Sequence, residues 1–118
     1  VSNRVLFTAL AVLTLAGCAS DPAPNEQMRL TEQALEQAKA VGATADEVPE
    51  MKLAEDKFNR AKGSMAGESF KNARMRAEQA ELDARLAEAK VLTQKSEEQL
   101  NVLNTRIVRL RKQLGDAQ

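Results

Sequence analysis

Cys18 is the only thiol in a chain of 118 residues, and the chain contains no histidine. A lone thiol forms no internal disulfide. Without imidazole, neither a zinc site built on His and Cys nor a Cys-His nucleophile pair has its parts. Carboxylates are plentiful, but acid–base catalysis needs a pair whose surroundings drive their pKa values apart. Here Asp and Glu recur at helical spacing, the pattern of a solvated surface. No phosphate-cradling glycine loop or metal-ligand spacing is visible either, so the expectation is a non-enzymatic protein with no cofactor and no metal. Two chemistries remain: attachment through the Cys18 sulfur, and contact of an anion with Arg106, Arg109, Arg111 and Lys112.

The surroundings of Cys18 favour attachment. Arg4 supplies a positive charge, Val5 to Leu15 form an apolar run broken only by Thr8 and Thr14, and the small pair Ala16-Gly17 leads into Cys18. This is the organisation of a signal peptide over residues 1–17. The run is well short of the roughly 20 residues that cross a bilayer as a helix. Leu15-Ala16-Gly17-Cys18 resembles the lipobox of bacterial lipoproteins. That resemblance implies a diacylglycerol on the Cys18 sulfur, cleavage between Gly17 and Cys18, and acylation of the new amino terminus. A cysteine packed in an apolar helix is the alternative. Several acyl chains on one residue make a stable anchor, since each buried methylene contributes about 0.8 kcal/mol. The membrane is therefore the first expected partner, reached through lipid. A first residue Val fits an alternative start codon translated literally. Ala19-Ser20, in place of an aspartate directly after the cysteine, resembles the outer-membrane class of lipoproteins. The periplasmic face of the outer membrane is the expected location, with the inner membrane as the alternative.

The remaining sequence must carry any fold. Lys plus Arg and Asp plus Glu number 17 each, so net charge points to neither nucleic acid nor a general anionic surface. Trp and Tyr are absent, and Phe7, Phe58 and Phe70 are the only aromatics. Most other positions are strong helix formers. Residues 18–27, with two prolines between Ala19 and Asn25, read as the lipidated cysteine and its tether. Asn25 is expected to cap a first helix in which Leu30, Ala34, Ala38 and Val41 share a face, ending at Gly42. Pro49 is expected to open a second, with Met51, Ala54, Phe58, Ala61 and Met65 on its inner face, and Gly63 and Gly67 closing it. Phe70, Ala73, Ala77, Ala80, Ala84, Ala87 and Val91 then step by three and four through a third helix of about 47 residues, or about 70 Å, running to Gly115. The expected fold is all-α: an antiparallel hairpin or three-helix arrangement whose long C-terminal helix ends in a short coiled-coil segment. The alanine-rich helical domain is placed at 28–92 and the distal helix at 93–118.

In that distal helix Leu100, Leu103, Ile107, Leu110 and Leu114 form a second seam of steps three and four. It does not continue the alanine stripe but extrapolates back through Ser96, Thr93, Ala89, Leu86 and Leu82, so the apolar face changes near residues 91–96. Five exposed aliphatics in one stripe are unfavourable in water, and no unpaired apolar segment remains to receive them. Self-association or an envelope protein partner is expected; the alternative is a helix end folding back onto its own bundle. Between Gln99 and Gly115 the charged residues are Arg106, Arg109, Arg111 and Lys112, without an acid. They complement a helix C-terminus, or contact peptidoglycan carboxylates or anionic lipid. Nucleic acid is not expected, because no aromatics are interleaved for stacking.

The set Gly42-Ala43, Pro49, Ala54, Phe58, Ala61, Gly67, Phe70, Ala73, Ala77, Ala80, Ala84 and Ala87 resembles an uncharacterised helical domain, a domain of unknown function, over about residues 30–92. That domain recurs in small bacterial envelope lipoproteins, sometimes ahead of an OmpA-type peptidoglycan-binding domain, and carries no assigned catalytic residues. Glu47-Val48 before the proline and the lack of a following OmpA-type domain depart from the pattern. The chain is also similar to the murein lipoprotein in its lipid anchor, alanine richness and aliphatic heptads. It ends Leu114-Gly-Asp-Ala-Gln118 and not in lysine, so covalent attachment to peptidoglycan through a terminal lysine is not expected. The function expected is that of a lipid-anchored structural or protein-interaction module. A binding module for peptidoglycan or anionic lipid, using the basic distal helix, is the alternative.

Overall fold

The computed structural model describes residues 20–117; the signal segment and Cys18 lie outside them. The described part is all-α, with α1 over Asn25–Ala40, α2 over Pro49–Ala66 and α3 over Phe70–Asp116. No strand occurs among the described residues. The helices run up, down and up, with α1 and α2 both lying on the first half of α3 and touching each other less.

Local chemistry sets the boundaries. Asn25 is the first helical residue and not the cap: Pro24 precedes it, and no side chain caps α1. Pro24 fits there because the peptide nitrogens at a helix start have no intrahelical acceptor, and a proline removes one such donor. At the other end Gly42 takes φ 101° while Ala43 N–H donates to Ala38 O (2.9 Å) and Gly42 N–H to Lys39 O (2.9 Å). This paired return is the Schellman stop, and it buries Ala43 against Ala38. Val48 is extended at φ −118°, ψ 106°, the conformation a following proline imposes, and Pro49 opens α2. The α2 end repeats the Schellman geometry, with Ser69 N–H on Ser64 O (2.8 Å) and Glu68 N–H on Met65 O (3.0 Å). Its left-handed residue, however, is Glu68 at φ 56°, one position beyond the expected Gly67. Helix α3 runs through Gly115 to Asp116.

The core is built of small side chains. Ala73, Ala77, Ala80, Ala84 and Ala87 of α3 are fully buried, facing Met51, Ala54, Phe58 and Ala61 of α2 and Ala34, Leu35 and Ala38 of α1. Alanine at every fully buried position of α3 lets its neighbours approach closely, so packing replaces side-chain bulk. Three inner positions differ from the expected faces. Thr31 and Leu35 are buried in α1 where Leu30 is half-buried, and Ser64 of α2 is buried beside a half-buried Met65. Thr31 is tolerated because its hydroxyl reaches both Gln27 O (2.8 Å) and Ala77 O (2.9 Å), sharing its one proton between a turn of α1 and the backbone of α3. Ser64 accepts from Arg76 Nη1 at 2.9 Å. Ion pairs Lys57–Asp83 (2.6 Å) and Lys90–Glu50 tie α2 to α3, and Lys39–Glu55 (2.8 Å) ties α1 to α2.

Candidate functional site: the exposed arm

Burial on α3 ends abruptly. Val91 is the last residue of the alanine stripe to be even half-covered, and every described residue from Leu92 to Ala117 is exposed. The last tie to the body is Lys95, whose Nζ donates to Val41 O (2.5 Å), a free carbonyl at the α1 C-terminus. Sequence periodicity does not reveal this contact, because a lysine on a polar face reads as solvated surface. Beyond Lys95 the helix continues alone for about 30 Å at 1.5 Å per residue.

The predicted seam residues come together on this arm. Leu100, Leu103, Ile107, Leu110 and Leu114 lie along one stripe and are between 45% and 69% exposed. Leu82 and Leu86, on the backward extension of the same repeat, are also exposed. At about 100° per residue the seam lies nearly opposite the alanine stripe, so the body covers one side of α3 and leaves the other open. Val102 and Val108 add exposed apolar area on other faces of the arm, each more than about 100° round the helix from the seam; the heptad positions alone did not single them out. The depressions along the arm are open gaps between side chains of one helix, one of them lined by Lys95, Glu98, Gln99, Val102, Leu103 and Arg106. They hold no enclosed volume around a reactive pair.

Arg106, Arg109, Arg111 and Lys112 are all exposed and form no ion pair among the described residues. Glu97 and Glu98, nearer the arm's root, are exposed as well. The arm is thus acidic near its root and basic toward its tip.

Titration shifts belong to the body. Hydrogen bonds from Gln27 Nε2 (2.7 Å) and from Arg85 hold the Glu81 carboxyl below its ordinary pKa. The Lys90 ammonium, and then its own backbone N–H, do the same for Glu50, and the Arg29 guanidinium for Glu26. These are carboxylates favoured in their charged form; Glu81 thereby joins α3 to α1 and Glu50 joins α2 to α3, while Glu26 pairs within α1. Among the described residues no group of His, Cys, Asp and Glu is placed to hold a metal ion, and no helix is long and apolar enough to cross a membrane. Cys18 and Gly17 lie outside the described residues. The chain enters the described part at Ser20 and Asp21, which lie beside Glu68, Ser69, Phe70 and Lys71 at the end of the body remote from the arm.

Comparison with known proteins agrees with this architecture. No curated protein matches the chain. A crystal structure of a DUF4398 family protein from Pseudomonas aeruginosa PAO1 is 68% identical and superposes with a TM-score of 0.79, over 82% of this chain and all of that one. The DUF4398 domain, a domain of unknown function, matches residues 26–103, which span the three-helix body and the first turns of the arm. With the match covering most of its length and its helices in the same arrangement, the chain belongs to the DUF4398 family.

Proposed function

We propose that the protein is a non-enzymatic, lipid-anchored envelope protein whose body presents the arm as an association surface. The observation that carries this is the exposed seam Leu100, Leu103, Ile107, Leu110 and Leu114 on a helix that has left its own core. Covering such a stripe is worth about 1.5–3 kcal/mol per fully buried side chain, enough to hold a helical partner when several act together. Lipidation at Cys18, two residues before Ser20, sets the anchor at the end of the body opposite the arm. The arm tip then stands up to about 70 Å from the anchored end, the length of α3. Outer-membrane anchoring with the arm in the periplasm follows from the residues after Cys18. The test is to change Leu103 and Ile107 together to Ser. The expected result is loss of self-association or of partner recovery from envelope extracts. If both measurements stayed as before, the reading would fail.

A second reading is supported by the exposed, unpaired basic tip. In it Arg106, Arg109, Arg111 and Lys112 hold an anionic polymer such as peptidoglycan, or anionic lipid. It predicts cosedimentation with purified peptidoglycan or anionic vesicles that weakens as salt rises, and that falls when Arg106, Arg109 and Arg111 become Gln. Binding indifferent to both changes counts against it.

A further inference from the structure

We propose that the arms of two copies pair side by side in opposite directions, with Leu100 of one chain level with Leu110 of the other. This deepens the reading of the arm as an association surface and rests on it. The occupant and its direction follow from charge on the edges of the seam.

In a parallel pair, a residue on one edge of the seam meets the residue five positions on along the other edge of the partner. Glu78 then faces Asp83, Arg85 faces Lys90 and Arg106 faces Arg111, so every charged cross-pair is of like sign; Asp83, Arg85 and Lys90 already hold ion pairs with Lys57, Glu81 and Glu50, and the sharpest clash is between the unpaired Arg106 and Arg111. Such pairs are repulsive. The four basic residues of each tip also come to lie at the same level.

Turning one copy round changes the partners. Each edge now meets the same edge of the other chain, and Glu97 comes opposite Arg111 of the second copy, twice by symmetry. Both groups are exposed and unpaired within the described chain. Arg106 meets its own counterpart at the two-fold axis, the one like-charged contact, where its length lets it turn to water. The centres of the basic segments separate by about 13 Å along the axis, beyond the Debye length of about 10 Å at 0.1 M salt.

The same register aligns the core. Leu100 packs on Leu110 and Leu103 on Ile107, giving four consecutive layers with aliphatic side chains on both sides, flanked at each end by Leu114 on Ser96. Sliding the partner two heptads toward the body covers Leu82 and Leu86, but it sets Glu97 against its own copy and lays Leu100 and Leu103 on Ser96 and Thr93. The body does not obstruct the pairing, since it covers the opposite side of α3. The resulting rod carries a body at each end, with the two Phe70 residues roughly 105 Å apart. Two anchored ends therefore point away from each other.

Orientation is read by disulfides in the full chain carrying Cys18→Ser, in nonionic detergent. One variant adds Leu100→Cys, another Leu110→Cys. After mixing and mild oxidation, the antiparallel pair gives a disulfide between the two variants and almost none within either. A parallel pair gives disulfides within each and none between them, because residues 100 and 110 lie about 15 Å apart along the axis. That outcome overturns the proposal, as does a monomer at all concentrations. A second measurement leaves the seam intact: sedimentation equilibrium of Glu97→Arg, Arg111→Glu and the double variant. Each single change is expected to weaken the dimer about fivefold, and the double to return to within about twofold of the parent. Single losses that simply add in the double variant overturn the pairing. If the arm stays monomeric yet an envelope protein is lost on changing Leu103 and Ile107 to Ser, the second copy is excluded as occupant while the reading of the arm stands.

Discussion

At the residue scale, the two interhelix turns use the same stop with different residues. Gly42 adopts φ 101° without strain, whereas Glu68 holds φ 56° with a side chain that disfavours it. Glu68→Gly is therefore expected to raise stability by about 1 kcal/mol, and Gly42→Ala to lower it by about 1–2 kcal/mol, both read as shifts of the thermal midpoint. A Cβ at position 42 meets only the Lys95 ammonium at 3.7 Å, so the loss there is conformational and not steric. Glu81 supplies a pH signature. Its pKa is lowered in the fold, chiefly by Gln27, so its contribution is present above the unfolded value near 4.5 and disappears as pH falls through the lower folded value. Changing Gln27 to Leu should lower the thermal midpoint at pH 7, and the deficit should shrink as the pH falls below 4.5. A deficit unchanged down to pH 3 would show that Gln27 acts through Thr31 or packing instead.

At the scale of elements, α3 is two helices in one. Its first half is an alanine face read at close range by α1 and α2; its second half is a leucine face turned the other way. Ala84→Leu inserts a larger side chain where the site is fully buried, and overpacking is expected to cost about 1–3 kcal/mol in thermal or denaturant unfolding. The converse change on the arm, Leu103→Ala, removes no described contact with the body. It should leave the unfolding of the body unchanged while weakening any association through the arm. The two substitutions thus separate folding from assembly on a single helix. A large loss of body stability from Leu103→Ala would mean that the distal half contributes to the core.

For the whole molecule, the arm beyond Lys95 is a helix of some six turns with no tertiary support of its own. Most helical stability in proteins comes from covering an apolar face, and none of the arm's is covered within the described chain. Mean helicity by circular dichroism is expected to rise with protein concentration as arms associate, and a chain ended after Ser96 should lose that dependence while keeping the cooperative unfolding of the body. Helicity independent of concentration in both would place the stability of the arm in its own sequence. The body supplies a fixed root: Lys95 on the α1 carboxyl end and the Lys90–Glu50 pair set where the free helix begins.

Helix identity, the length of α3, the alanine stripe and the switch to a leucine seam were all legible in the sequence. Each rests on periodicity and on the breaks at Gly42, Pro49 and Gly67, which are local properties of the chain. The residues that depend on a neighbouring helix were not. Thr31 enters the core only because Ala77 O stands across from its hydroxyl, Ser64 only because Arg76 reaches it, and Lys95 marks the arm's root only because the α1 stop leaves Val41 O free. The sequence by itself determined which faces are apolar. The tertiary structure alone decided which polar side chains join the buried face and where the body is tied to the arm, since Thr31, Ser64 and Lys95 are placed by hydrogen-bond partners on helices distant in the chain.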